Sequence, residues 1–190
     1  MANFNLDPVH SGVNFSIQHL VISNVKGRFN DFDADITGDF HDLSSLKGTF
    51  TVQANSIDTK VEDRDNHLKS EDFLNVEQYP EIKFEIISVD DHSVTGNVTI
   101  KDQTQKETFD LDYKGISLNP LNNKNTAGLV ITGELDREKY GVTFNQPLET
   151  GGFLWLYNKL DWWLKIISPI FMFEYKNGAI TSIIISYHTK

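Results

Sequence analysis

The chain contains no cysteine, which excludes a disulfide framework and any chemistry carried by a thiolate. Basic residues are scarce: 17 Lys and Arg stand against 27 Asp and Glu, a formal net charge of -10. That balance excludes non-specific binding to a phosphate backbone and disfavours docking on an anionic membrane by charge alone. It suits a soluble acidic protein. No uninterrupted apolar run reaches about 18 residues, so no membrane-spanning helix is expected. A Gly-x-Ser-x-Gly elbow is missing, and Gly151-Gly152 is not followed by the Lys-Ser/Thr of a phosphate loop. The six histidines (His10, His19, His41, His67, His92 and His188) show no tight pair at metal-ligand spacing. The reading therefore expects no metal, no resident cofactor and no catalytic residue. The N-terminus has neither a basic n-region nor a long apolar segment, so no secretory signal is expected. The Met start points the same way, to a cytoplasmic protein.

What is present is a strong period of two. Hydrophobic residues make up 39% of the 190 and include 13 Phe, enough for the core of one domain. Val13, Phe15 and Ile17 alternate with polar residues, as do Phe32, Ala34, Ile36, Gly38 and Phe40. The same holds for Phe50, Val52 and Ala54, for Phe84 in the run from 82 to 86, and for Val94, Gly96, Val98 and Ile100. Phe109, Leu111 and Tyr113 follow, then Ala127, Leu129, Ile131, Gly133 and Leu135, with Thr126, Thr132 and Glu134 on the opposite, wetted face. One apolar and one wetted face per run is the pattern of antiparallel strands around one interior. Turn signals such as Asp90-Asp91-His92 and Asn122-Asn123-Lys124-Asn125 make a barrel or sandwich the expected architecture. A packed core is the plain explanation of the inward faces. Glycines at 38, 96 and 133 on the apolar parity point instead to an interior with room in it. His19 follows Ile17 on that parity; a lone histidine there reads as a satisfied core residue before a ligand contact.

Residues 56–80 interrupt the strands with a crowd of charges that also carries apolar anchors. Asp63, Arg64, Asp65 and His67 fall close together, and Leu68, Phe73, Leu74 and Val76 recur at near-helical spacing. The expected structure is a short helical insertion near 61–76 with Leu68 and Phe73 pinned to the sheet. Arg64 and Asp65 read first as a structural charge pair, with His67 hydrogen-bonded beside them. The alternative is that the cluster meets the polar head of a ligand.

Across residues 4 to about 152 the chain resembles the YceI-like family. The resemblance is carried by Asp7-Pro8-Val9-His10-Ser11, Val13-Asn14-Phe15, Gln18-His19-Leu20 and Val25-Lys26-Gly27-Arg28-Phe29. It continues through Ser56-Ile57-Asp58-Thr59, Arg64-Asp65, His67-Leu68-Lys69-Ser70, Asp72-Phe73, Tyr79-Pro80 and Phe84. Val94-Thr95-Gly96, Val98-Thr99-Ile100, Arg137, Tyr140-Gly141-Val142 and Leu148-Glu149-Thr150-Gly151-Gly152 complete it. No single piece is diagnostic; their order and spacing are. The resemblance implies an all-β, antiparallel, lipocalin-like barrel of about eight strands that binds a polyisoprenoid or similar lipid in a long apolar channel. Many members of the family are exported. The channel residues so implied are Val13, Phe15, Ile17, His19, Phe32, Ala34, Ile36, Phe50, Val52, Phe84, Val98, Ile100, Phe109, Leu111, Leu129 and Ile131, with Arg64, Asp65 and His67 as a structural or head-group cluster at the barrel opening. Arg137 and Tyr140-Gly141 read as a turn whose cation covers the barrel base, away from the opening.

Residues 153–190 depart from the family pattern, so the chain reads as a single domain, 1–190, with an atypical tail. All 3 Trp lie there. The family's final barrel-closing strand is not visible in it. Two readings stay open. The tail is a replaced or frame-shifted segment, which leaves a barrel edge exposed. Or it is a real extension, with a Trp-rich interfacial helix suited to transient contact with a membrane surface and a hairpin over 171–187 around Asn177-Gly178. The expected partner is an apolar lipid, with no nucleic acid and no membrane span; a homodimer is compatible with the sequence. The competing functions are an enzyme acting on a lipid head group and a filled-core interaction module.

Overall fold

The computed structural model describes residues 2–19, 23–119, 124–144, 147–148, 152–153 and 171–175. The strands are β1 (Ala2–Leu6), β2 (Val13–His19), β3 (Ser23–Phe29), β4 (Phe32–Asp39), β5 (Asp42–Gln53), β6 (Ile57–Asp58), β7 (Glu81–Val89), β8 (Ser93–Ile100), β9 (Gln103–Asn119), β10 (Lys124–Thr132), β11 (Pro147–Leu148), β12 (Gly152–Phe153) and β13 (Phe171–Tyr175). Helix α1 (Glu62–Lys69) and two 3-10 turns, Ala54–Ser56 and Arg137–Tyr140, complete the described elements. The protein is a lipocalin-like antiparallel barrel with a short helix, closed in the order β1, β13, β10, β9, β8, β7, β5, β4.

Alternation makes the barrel. Along β8 the even positions Val94, Gly96, Val98 and Ile100 are buried and the odd ones wetter. β4 buries Ala34, Ile36 and Gly38 in the same rhythm. A one-residue slip would turn each face inside out, so the hydrophobic pattern sets the register. β9 makes one controlled exception: Gly128 opposes Gly115 while Leu129 opposes Tyr113, which leaves Lys114 as an extra residue. The bulge moves the inward parity from Phe109, Leu111 and Tyr113 to Ile116, which packs on the core. Thr126, expected on the wetted face, is 3% exposed; it lies in the middle of the sheet, opposite Ser117 on one side and Glu174 on the other.

The tail supplies the closing strand. In β13, Phe173 pairs with Leu6 of β1 and with Ala127 of β10, and Phe171 pairs with Leu129. The barrel edge that the sequence left open is therefore covered, by a strand from the segment that departs from the family pattern. The rest of the proposed hairpin, with Asn177 and Gly178, and the Trp-rich stretch lie outside the described residues.

β2, β3 and the short β6 form a separate three-stranded sheet. At one end of the barrel Phe4 meets Phe40 edge to face, with ring centroids 4.5 Å apart, and the Tyr113 hydroxyl donates to the Phe40 carbonyl at 2.8 Å. At the other end, where β5, β7 and the β8–β9 hairpin converge, the chain crosses over in two places. The first is α1 with the turns that follow it, folded back by bonds from Leu74 N to Leu68 O and from Asn75 N to Ser70 O. The second is the Arg137–Tyr140 turn. No helix among the described residues is long and apolar enough to cross a membrane.

Candidate functional site

The barrel encloses a cavity of about 290 Å³. That is close to the lower end, roughly 300 Å³, of pockets that hold small organic ligands. Its wall is almost wholly hydrocarbon. Val13, Phe15 and Ile17 of β2 line it, as do Ile36 of β4 and Phe50 and Val52 of β5. Phe84 of β7, Val98 and Ile100 of β8, Phe109 and Leu111 of β9 and Leu129 and Ile131 of β10 complete the set from the inward faces. Two residues expected on this wall lie off it. Ala34 is buried in the core at 6% exposure, and Phe32, at the start of β4, packs against Phe50 at a centroid distance of 6.0 Å. Both share the inward parity of β4 but are not among the residues that line the cavity. His19 ends β2, and its side chain lies outside the described part of the structure.

Glycine seats three of the phenyl rings against the wall. A Cβ placed on Gly133 would lie 2.0 Å from the Phe109 ring. One on Gly96 would lie 2.5 Å from Phe84, and one on Gly27 would lie 2.3 Å from Phe15. The rings occupy the space that these glycines leave on neighbouring strands, as aromatic side chains do over glycine in designed sheets. By parity alone, interior glycine reads as room for a guest. Gly96 and Gly133 instead accommodate phenyl rings, which thereby become wall. Phe84 and Phe109 then meet edge to face at 5.4 Å.

Several lining residues were not anticipated. Val25 and Phe29 of β3 line the cavity; they alternate with Lys26 and Arg28, a signal legible in the sequence. Leu68, Phe73 and Leu74 were expected as anchors of the insertion, and they also roof the lumen. Tyr140 lines it with no exposed surface. Its hydroxyl donates to Glu107 Oε1 at 3.1 Å. Burial first, and then the charge of Glu107, push that hydroxyl well above the ordinary phenol value, so it stays a donor. Tyr140→Phe is expected to cost about 0.5–1.5 kcal/mol, read as a lower midpoint of urea unfolding with an unchanged slope. Arg137 donates from Nη1 to the carbonyls of Val142 and Phe144, each at 2.9 Å, which fixes the crossing segment; Phe144 meets His67 and Phe73, so this turn lies at the same end as α1 and not at the opposite base. Burial holds its guanidinium below the usual arginine value, against the opposing pull of Glu138 and Asp136.

The charged cluster is arranged differently from the expectation. Arg64 and Asp65 do not pair with each other. Both side chains instead reach back to Thr59, which is 4% exposed. Arg64 Nε donates to Thr59 Oγ1 at 2.7 Å and an Nη group donates to the Thr59 carbonyl at 2.8 Å. Asp65 Oδ1 accepts from the Thr59 amide at 2.9 Å and from its hydroxyl. His67 does not join them. Its Nε2 meets Asp72 Oδ2 at 3.1 Å, and its ring stands edge-on to Phe73 at 4.9 Å and to Phe144 at 5.0 Å. The two crossing segments therefore meet at Phe144. Arg64 and His67 line the cavity; Asp65 does not. Among the described residues no group of three His, Asp or Glu converges to hold a metal.

Residues 4–159 match the YceI-like domain. The chain belongs to the YceI-like family. A UPF0312 protein of Staphylococcus epidermidis is 47% identical over 154 residues, covering 81% of this chain and 90% of that protein. A YceI protein of Campylobacter jejuni has a similar structure, with a TM-score of 0.58 and 30% identity over 66% of this chain and 75% of that one. A polyisoprenoid binding domain from Saccharophagus degradans has the same fold, at a TM-score of 0.60 and 11% identity, covering 92% of this chain and 98% of that one. The YceI-like match runs to residue 159, past Gly152 where the sequence motifs end, and stops short of β13.

Proposed function

We propose that this YceI-like protein binds one long apolar lipid, a polyisoprenoid or the tail of an isoprenoid quinone, inside its barrel, and that it does no chemistry on it. The observation that carries the reading is the hydrocarbon-walled cavity itself. The inward residues of β2, β4, β5 and β7 to β10 are its working surface, and α1 with the Arg137–Tyr140 turn closes one end. The fold shared with the Saccharophagus degradans domain supports the same reading. Each buried methylene contributes roughly 0.8 kcal/mol, so a tail of about fifteen carbons contributes on the order of 12 kcal/mol before ordering costs. Those costs take back a large share and leave affinity in the micromolar range or tighter. A methylene-lined wall discriminates poorly between similar tails, which suits a carrier, a store or a stress-related role in the cytoplasm.

Protein purified under native conditions is expected to release an apolar molecule on solvent extraction, seen by mass spectrometry. Stripped protein is expected to take up a fluorescent prenyl probe at one site. Bare polypeptide together with no uptake would remove the proposal.

A further inference from the structure

The two ends of the cavity differ in how they are sealed. Under α1 the wall reaches water: His67 and Lys83 line the cavity, with 47% and 51% of their side chains exposed. At the other end Phe40, Leu46, Val89 and Val94 line it, and none of them is more than 7% exposed. The cavity is therefore a shaft with a wetted end under α1 and a sealed floor at the β4–β5 and β7–β8 hairpins. Phe40 makes that floor. It stands in the turn between β4 and β5, where a polar residue would ordinarily face water, and it is buried. Its ring meets Phe4 edge to face at 4.5 Å and stacks on Tyr113 at 6.2 Å. Its carbonyl accepts from the Tyr113 hydroxyl at 2.8 Å. The turn is tied further by His41 N to Asp39 Oδ1 and by Asp39 N to Ser45 Oγ, each at 2.9 Å. A ring held by its backbone and by two aromatic neighbours is a stop of fixed height, because a close-packed interior gives way only at a cost.

The depth of the shaft follows from one strand. Val94 and Ile100, near the two ends of β8, both line the cavity. Six residues rising about 3.3 Å each on a strand tilted by about 40° make the shaft about 15 Å deep. An isoprene unit has four bonds along its chain against three in a residue, so it advances roughly 4.5 Å when extended. We infer that Phe40 sets the length of tail that the barrel takes: about three isoprene units lie within the shaft, and the rest of a longer chain stays outside, at the α1 end. The inference rests on the lipid-binding proposal and adds the residue that limits the tail. A unit that enters the shaft leaves water and gains affinity. A unit beyond the third finds the floor occupied by Phe40, stays in water and gains none.

The test holds the head group constant and varies the tail. Prenyl alcohols of two to six isoprene units, kept below their aggregation concentrations, compete against a fluorescent prenyl probe on the wild type, Phe40→Ala and Leu46→Phe, each checked for folding by circular dichroism. In the wild type, affinity is expected to rise by about tenfold or more with each unit up to the third and to change by less than about twofold per unit after it. Phe40→Ala removes the stop, so the break is expected to move out by roughly one unit, with the shorter alcohols bound about as before. Leu46→Phe fills the lower shaft, so the break is expected to move in by roughly one unit. This second variant moves the floor in the opposite direction and decides the matter if Phe40→Ala does not fold. A gain in the wild type that continues undiminished to six units would overturn the inference and leave the lipid-binding proposal standing, since the tail would then double back or pass the floor. So would a break at the same length in the wild type and in the folded variants, because the limit would then lie elsewhere than at the floor. No displacement of the probe by any alcohol would overturn both.

Discussion

Gly133→Ala is expected to destabilise the barrel by about 1–3 kcal/mol and to reduce prenyl-probe uptake at the same time. The added methyl would start 2.0 Å from a carbon of the Phe109 ring, far inside contact distance. Gly133 carries no left-handed backbone angle, so the substitution tests the contact and not the chain conformation. Phe109 is 3% exposed, and its escape is toward the lumen, where Phe84 already meets it at 5.4 Å. The ring would then occupy space that the cavity offers a guest. Trimming the ring in the double variant Gly133→Ala with Phe109→Leu is expected to recover part of both losses, a coupling that a double-mutant cycle measures directly. Unfolding curves and uptake isotherms that do not move in Gly133→Ala would show that the ring is not held by the glycine.

Deleting residues 160–190 is expected to abolish the folded monomer. The deletion removes β13, the strand between β1 and β10. It leaves Phe4 to Leu6 and Thr126 to Leu129 without their partners on that side. Two bared edges in a sheet with an apolar interior are templates for pairing with other chains, so aggregation is expected before refolding. Sedimentation and thermal unfolding of the shortened chain decide the matter. A monodisperse protein with the full-length melting temperature would mean that the barrel does not depend on residues 171–175. The deletion also separates the two readings of the tail, because a segment that bears no part of the fold should be dispensable.

The arrangement of the roof follows from short-range rules that composition does not display. Asp63, Arg64, Asp65 and His67 look in sequence like one cluster. On α1 they divide: Arg64 and Asp65 go to Thr59, and His67 goes to Asp72 and to the aromatic rings of Phe73 and Phe144. The partners decide the division: Thr59, just before the helix, takes both Arg64 and Asp65, and Asp72, just after it, takes His67. Val25 and Phe29 were within reach of the alternation argument, as odd-numbered apolar positions in a run paired to β2.

The alternating strands β2, β4, β5 and β7 to β10 and the helical insertion were legible in the sequence alone, because alternation with a period of two and anchors at helical spacing are local properties of the chain. Whether the interior is open was decided only in three dimensions. It depends on rings meeting glycines across neighbouring strands, Phe109 over Gly133 and Phe84 over Gly96. Closure likewise depends on a contact between the two ends of the chain, Phe4 with Tyr175. Neither pairing leaves a trace in nearby residues. Each is selected by the packing of the whole barrel, in which a side chain's neighbours are set by register and not by sequence distance.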